Sequence, residues 1–400
     1  MRPMEDLIFL SQRIPYPPDK GDKIRSFHIL QHLAARFRVH LGCFVDDPRD
    51  EKYIEPLQAL CASVHAVPLS GGALRLRAAG ALVQGVSFSE ACFHDARMAA
   101  WVRSIVSAHS IKNGFVFSSA MAPYLANMAM HKVLDVVDVD SEKWRAYATA
   151  ARWPMSAVYA REAEKLLALE RRLVAAFDMS VFVSEAEKQV FLGRVPEATG
   201  RIAAMNNGVD IDYFDPAKIF ASPFDRDHKA LVFTGTMNYR PNIEAVVHFS
   251  RDILPAIRAR IPQSTFWIVG AHPAPAVQEL AGDAVRVTGQ VDDIRPYLAH
   301  ADCVVAPLKI ARGVQNKVLE AMAMARPVVA TPQAREGIDA VPGEEIIVAE
   351  TPASFAQAVC AVLEGNSRLP GQPARAYVKR HHGWRKNLEL LDTLFPISAV

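Results

Sequence analysis

The sequence predicts an α/β protein of two domains, each a mostly parallel sheet wrapped by helices. Three observations predict it. Short β-branched apolar runs alternate with amphipathic helical patterns along most of the chain, as expected of strands joined by helical crossovers. Between Asp302 and Gly337 the alternation resolves into strand, loop, helix, strand, loop. Its polar residues gather where strands end and a helix begins, which is where open α/β sheets bind ligands. Finally, 400 residues of which 50% are apolar suffice for two domains of ordinary size.

A formal charge of +2 makes no general case for nucleic acid. The five cysteines, Cys43, Cys61, Cys92, Cys303 and Cys360, form no CxxC pair, and two sit in apolar strand-like runs. That pattern favours reduced, buried thiols in the cytoplasm over a disulfide framework or a zinc site. The opening MRPMEDLIFLSQ has an apolar run too short for a signal peptide, and no run approaches the roughly 20 apolar residues of a membrane span. The expectation is a soluble chain, at most peripheral to a membrane.

In chain order, Leu7 to Leu10 is the first strand, and SQRIPYPPDKGDKIR leads into an amphipathic helix from about Ile24 to Arg36. Three prolines and Gly21 hold this loop out of regular structure. Lys20, Lys23 and Arg25 are expected to bring positive charge to the helix start, an arrangement that suits an anion. An ordinary βα loop with a solvated basic edge is the alternative. A dinucleotide site is weaker, since no GxGxxG follows the strand.

Strands are expected at Val39 to Phe44, Val64 to Val67, Phe115 to Phe117 and Lys132 to Val137. The intervening GGALRLRAAGALVQGVSFSEACF reads as a surface helix and loop, or alternatively as an acceptor-side or membrane-facing lip. At the end of the fourth strand comes DVDSEKW, where Asp138 and Asp140 offer carboxylates and Asp138 could instead cap the next helix. An Asp-x-Asp pair of this kind can hold a divalent metal. Ser156 to Phe177 is a long helix of good formers and reads as scaffold. DMSVFVSEAEKQVF then gives a strand with Ser184 as a helix cap, and NNGVDIDYFDP follows a further short strand, with a linker near Asp215 to Asp227.

The second domain opens with ALVFTGTMNYRPNIEAVVHF: a buried strand, a turn at Gly235 and a helix starting near Pro241, whose N-terminus could hold a phosphate. Thr236, Met237 and Arg240 populate the loop. Phe266 to Gly270, Val285 to Gly289 and a helix from Asp292 to Ala299 continue the alternation. Within 302–337 the strand Cys303 to Ala306 breaks at Pro307, and Gly313 lies in the polar loop. In the helix, Lys317, Glu320 and Met324 lie a turn apart, and Val318, Met322 and Ala325 supply the apolar face. Pro327 to Ala330 is a strand, Thr331 to Gly337 a polar loop, and the tail Arg375 to Phe395 reads as helical with Trp384.

LEAMAMARPVVAT followed by REGI resembles the nucleotide-sugar-binding core of the GT-B glycosyltransferases of family four, the glycosyltransferase group 1 type. Asn207, Gly208, Val209 and Asp210 are similar to that family's Asn-Gly-Val-Asp signature, and the likeness is densest from Leu231 to Ile338. The resemblance implies two doubly wound Rossmann-like domains facing across a cleft: an acceptor-side domain over 1–215, a nucleotide-sugar domain over 228–374, and a C-terminal helix over 375–400 returning to the first. It implies transfer of a sugar from a nucleotide diphosphate sugar to a hydroxyl of a glycan or lipid-linked acceptor, with retention. It also implies no metal, no cofactor beyond the donor and no nucleic acid partner, in bacterial exopolysaccharide or surface-glycan assembly, with room for peripheral association with the inner membrane.

By the same resemblance Glu320 binds the ribose, a task that suits a carboxylate because it accepts from two adjacent hydroxyls. Gly21 and Gly235 are placed where backbone approaches the diphosphate, Thr236 and Arg240 match the diphosphate loop, and Asp138, then Asp140, match a His or Asp beside the transferring sugar. The chain departs from the family at two points. A second glutamate expected eight residues before Glu320 is Arg312, and a glycine before RPVV is Ala325. A guanidinium cannot accept from sugar hydroxyls but pairs well with phosphate or carboxylate. Arg312 and Lys317 are therefore expected to clamp the diphosphate, or Arg312 to read an acidic sugar; the alternatives are a solvent-facing loop arginine and a solvated helix lysine. Two other functions stay open: a catalytically silent GT-B nucleotide-binding protein and a sugar-nucleotide epimerase. An NAD oxidoreductase is more remote.

Overall fold

Residues 4–18, 21–72, 77, 80–81, 85–225, 228–311, 314–365 and 371–396 are described by the computed structural model. Lys20, Arg312, Gly313 and parts of the 71–93 segment lie outside them. The chain divides into two units, Met1–Asn206 with Leu388–Val400, and Asn207–Asn387.

The first unit is built on seven strands: β1 (Asp6–Ser11), β2 (Arg38–Val45), β3 (Ser63–Pro68), β4 (Asn113–Phe117), β5 (His131–Val137), β6 (Met179–Phe182) and β7 (Ile202–Ala204). Their order is β3-β2-β1-β4-β5-β6-β7, with every pairing parallel. A parallel sheet covered on both faces needs strands that are apolar throughout rather than alternating. Leu7, Ile8, Phe9 and Leu10 accordingly are all fully buried. The C-terminal residues complete this unit. Arg36 and His32 both reach Asp392, at 2.5 and 2.7 Å, and the Phe395 ring packs against Phe37 and Phe115.

The second unit carries β8 (Lys229–Thr234), β9 (Ser264–Val269), β10 (Val285–Gly289), β11 (Cys303–Ala306), β12 (Val328–Ala330) and β13 (Ile347–Val348), in the parallel order β10-β9-β8-β11-β12-β13. With β1 and β8 central, each sheet reverses its strand order between β1 and β4 and between β8 and β11. That switch opens a crevice at the C-terminal ends of the strands.

The structure moves several sequence-derived boundaries, each for a physical reason. The first helix is Gly21–Ala34 rather than about 24–36, and its early start turns two cations inward. Lys23, 1% exposed, reaches Asp50 at 2.7 Å, and buried Arg25 holds Asp135 at 2.7 Å while donating to the Met205 carbonyl. They pair with the half-buried Asp50 and the buried Asp135 and do not supply positive charge to a ligand loop. The tail is not one helix but two, Gly371–His381 and Trp384–Leu394, separated at His382 and Gly383. Ala325 belongs to no apolar helix face. The helix Asn316–Ala323 ends before it, and Ala325 adopts φ +53. Ala325 N–H bonds Met322 O and Arg326 N–H bonds Ala321 O, the paired bonds of a Schellman stop.

Candidate functional site

In the second unit, β8 leads directly into Gly235 at φ +152, a backbone region that disfavours side chains. The turn after β9 comes close to it: a Cβ on Gly270, φ +155, would stand 1.7 Å from the Gly235 carbonyl oxygen. Two glycines therefore let adjacent strand ends touch backbone to backbone. A Cβ on Gly235 would meet Asn242 Nδ2 at 2.8 Å and Lys317 Nζ at 3.1 Å. Asn242 is 6% exposed and links the three, since its amide donates to Thr236 O at 3.0 Å and its Oδ1 accepts from Lys317 Nζ at 2.5 Å. The Lys317 ammonium also lies 4.3 Å from the Phe233 ring centroid, a cation–π contact from beneath. An ammonium has three donors, and Asn242 takes one.

Glu320 lies one turn further along the 316–323 helix, half-buried like Lys317. Surrounding protein penalises both charges. Burial lowers Lys317 to about 7 and raises Glu320 to about 7, and the opposite charge of each partner offsets part of the shift. Nearby stand Tyr213 and Arg295: the guanidinium lies 3.8 Å from the Tyr213 ring centroid and forks onto Asp293. Burial raises the Tyr213 phenol, and Asp293, Glu320 and Asp210 push it the same way. Sequence reasoning named neither Tyr213, Arg295 nor Asn242 as site residues. Asn242 was within reach, because its Pro-Asn pair opens the helix after the Gly235 turn. Arg240 stands exposed at the first position of that helix, Arg240–His248, with its guanidinium on Glu244 at 2.7 Å.

In the first unit Asp138 and Asp140 sit on a turn under constraint. Val137 has φ +71, costly for a β-branched residue, and the β5–β6 register shifts between Asp135 and Val137. Strain of this kind survives only where surroundings over-determine it. Here two buried glutamates clamp the turn. Glu187 accepts from Val139 N–H at 2.8 Å, and Glu170 accepts from Ser141 N–H at 3.1 Å and from its hydroxyl at 2.6 Å. Burial raises Glu170 to about 8 despite those bonds. The N-cap of helix Asp140–Ala150 is Val139, and no side chain caps it, so Asp138 does not have the cap position. Asp138 is exposed and Asp140 half-buried; burial raises Asp140, and the charges of Asp138 and Glu162 add to that while Lys143 opposes it.

Gly21 opens its helix one turn before Arg25, which ties the helix start to β5 and Met205. Gly21 and the 137–141 turn thus share the C-terminal edge of the first sheet. Three potential metal-ligand atoms of Asp6, His40 and His109 lie within 4.8 Å of one another. Arg38 already forks onto Asp6 and meets His109 at 3.2 Å, so a guanidinium takes the position a cation would. A hollow lined by Ser222, His228, Gln263 and His300 lies at the start of β8, the sheet end away from Gly235. No helix among the described residues is long and apolar enough to cross a membrane.

Residues 228–365 match the family model described as glycosyl transferases group 1. No curated protein matches the chain. Solved structures do, over nearly their whole length. Sucrose-phosphate synthase from Thermosynechococcus elongatus superposes with a TM-score of 0.69 at 18% identity, covering 98% of each chain. Anabaena HepE in complex with UDP and glucose gives 0.65 at 16%, covering 98% of this chain and 99% of that one. WaaG, a glycosyltransferase involved in lipopolysaccharide biosynthesis, gives 0.67 at 15%, covering 98% and 100%. At these identities the likeness is one of fold, and the fold is GT-B.

Proposed function

We propose, for a GT-B glycosyltransferase whose residues 228–365 form a group 1 domain, that it transfers a sugar with retention from a nucleotide diphosphate sugar to a hydroxyl of a growing surface glycan. The supporting observation is the Lys317 ammonium, fixed by Asn242 beside the Gly235 turn with Glu320 one helical turn away. A glycine at the strand end, an oriented cation and a carboxylate are the parts needed for a diphosphate next to a ribose. Departure of a nucleoside diphosphate requires stabilisation of developing negative charge more than a strong base, and a pre-oriented ammonium with backbone amides supplies it without reorganisation. In this reading Gly21, Gly235, Thr236 and Arg240 neighbour the donor phosphates. Arg312 adds charge to the same clamp, and Asp138, seconded by Asp140, serves the acceptor end of the sugar.

Incubating the protein with a panel of nucleotide sugars, UDP-sugars first because HepE is solved with UDP, tests the reaction. Slow release of nucleoside diphosphate and free sugar supports a transferase. A new sugar epimer would make it an epimerase, and binding without turnover a silent fold. Asp138→Ala is expected to keep donor binding and lose roughly 10²-fold or more in turnover, the usual effect of removing a positioned catalytic group; full turnover in that variant removes Asp138 from the chemistry.

A further inference from the structure

The register of the first sheet gathers a second polar cluster at its N-terminal edge, the end away from the 137–141 turn. Asp6 opens β1 opposite Arg38, the first residue of β2, and His40 lies opposite Ser63, the first residue of β3. His109 is the last residue of helix Ala96–His109, which stops there as Ser110 turns left-handed at φ +49. His40 is 2% exposed and held at both ring nitrogens. With Asp6 ionised, Nε2 donates to Asp6 Oδ1 at 2.8 Å, and Nδ1 accepts from the Ser63 hydroxyl at 2.8 Å. The His109 ring stands 4.5 Å from the His40 ring, and its Nδ1 accepts from the Arg38 guanidinium at 3.2 Å, so that nitrogen turns a lone pair toward the cluster. The Arg38 fork needs only Asp6. Two imidazoles beside it are more than an ion pair uses, and they are ligands that suit a late transition metal.

We propose that Asp6, His40 and His109 form a binding site for a divalent transition metal such as zinc, and that Arg38 is the cation the metal displaces. A carboxylate and two imidazoles are three of the four ligands of tetrahedral zinc, with water as the fourth. The two nitrogens disfavour magnesium and calcium, which take oxygen ligands. The three ligand atoms lie within 4.8 Å of one another, and bonds of about 2.0–2.1 Å to a tetrahedral metal hold such atoms about 3.3 Å apart, a closure that departure of the guanidinium permits. Arg38 is able to leave, since its side chain is 52% exposed. His40 must then present a lone pair: the proton on Nε2 is given up and one is held at Nδ1, where the Ser63 hydroxyl turns from donor to acceptor. Burial lowers the His40 imidazolium, which favours the neutral ring that ligates. The helix C-terminus at His109 favours a cation as well. Bound metal joins the starts of β1 and β2 to the end of the 96–109 helix, as the guanidinium does in its absence. None of this depends on the proposed transfer reaction.

The test is equilibrium dialysis of the full chain, free of any affinity tag, against zinc chloride, with cobalt(II) absorption as the report on coordination geometry. One zinc per chain is expected, with the visible spectrum of four-coordinate cobalt and no competition from excess magnesium. Arg38→Ala should bind zinc roughly tenfold more tightly, because a charged hydrogen bond no longer competes for Asp6. His109→Ala and Ser63→Ala should each bind it at least roughly tenfold more weakly, the first by losing a ligand and the second by losing the group that orients His40. His109 is exposed, so the zinc-free melting temperature of His109→Ala should match that of the parent. Failure of both the parent and Arg38→Ala to retain zinc overturns the proposal. So does equal binding by His109→Ala, which would place the metal on other histidines or cysteines. Unchanged affinity in Arg38→Ala would overturn the displacement of the guanidinium.

Discussion

Lys317 and Glu320 sit one turn apart, so their spacing was legible from helical periodicity alone. Their electrostatics were not, because burial is a property of everything packed around them. Glu320→Ala is expected to weaken nucleoside diphosphate binding by roughly tenfold or more, the worth of a charged hydrogen bond of about 1.5–3 kcal/mol. Calorimetric titration checks it, and unchanged affinity takes Glu320 out of the site. With Glu320, raised to about 7, Lys317 is expected to set the pH dependence. Its ammonium is lowered to about 7, so the proton that attracts a diphosphate is lost as pH rises through that value. Binding should therefore weaken from neutral to alkaline pH. In Lys317→Arg, whose guanidinium stays charged, that alkaline loss should be much smaller even if absolute affinity falls. A parallel decline in both proteins would assign the pH dependence to another group.

At the scale of elements, a helix stop shows how a departure from a family pattern acquires a physical meaning. The family's glycine before the RPVV strand is Ala325 here, and the structure explains why glycine suits that position: φ is +53 at the C′ residue of a Schellman stop. An alanine there carries left-handed strain of about 1–2 kcal/mol. Gly371 offsets the crowding, since a Cβ on it would lie 1.6 Å from the Ala325 carbonyl oxygen. Ala325→Gly should raise the melting temperature of the second unit; the gain is smaller than the full strain, because glycine also adds entropy to the unfolded chain. A lower melting temperature would show that the Ala325 methyl contributes packing that outweighs its strain. The same comparison applies to Lys23 and Arg25, which look like ligand-loop cations in sequence and prove to be partners of Asp50 and Asp135.

For the molecule as a whole, the last residues of the chain complete the first unit, a connection spanning almost the full sequence. Phe395 is 1% exposed among Phe37, Phe115 and His131, and His131 bonds the Leu394 carbonyl at 2.7 Å. Phe395→Ala should destabilise the first unit by about 3–5 kcal/mol, as for other large core truncations. Nucleoside diphosphate affinity, which the proposed function assigns mainly to residues of the second unit, should be far less affected. Calorimetric melting together with titration checks this, and equal damage to both properties would mean that the units unfold as one.

The sequence by itself determined the alternation of strands and helices, two parallel sheets through short apolar strands joined by helical stretches, and the one-turn spacing of Lys317 and Glu320. Each of these depends on local period, composition or chain order, which are written residue by residue. Only the tertiary structure decided that Asn242 fixes the ammonium, that Arg295 stacks on Tyr213, whose phenol feels the Glu320 charge, and that Glu170 and Glu187 clamp the turn bearing Asp138. Those contacts join residues tens of positions apart, and whether a charged side chain meets solvent, ligand or a buried counter-charge is set by which distant segment packs on it.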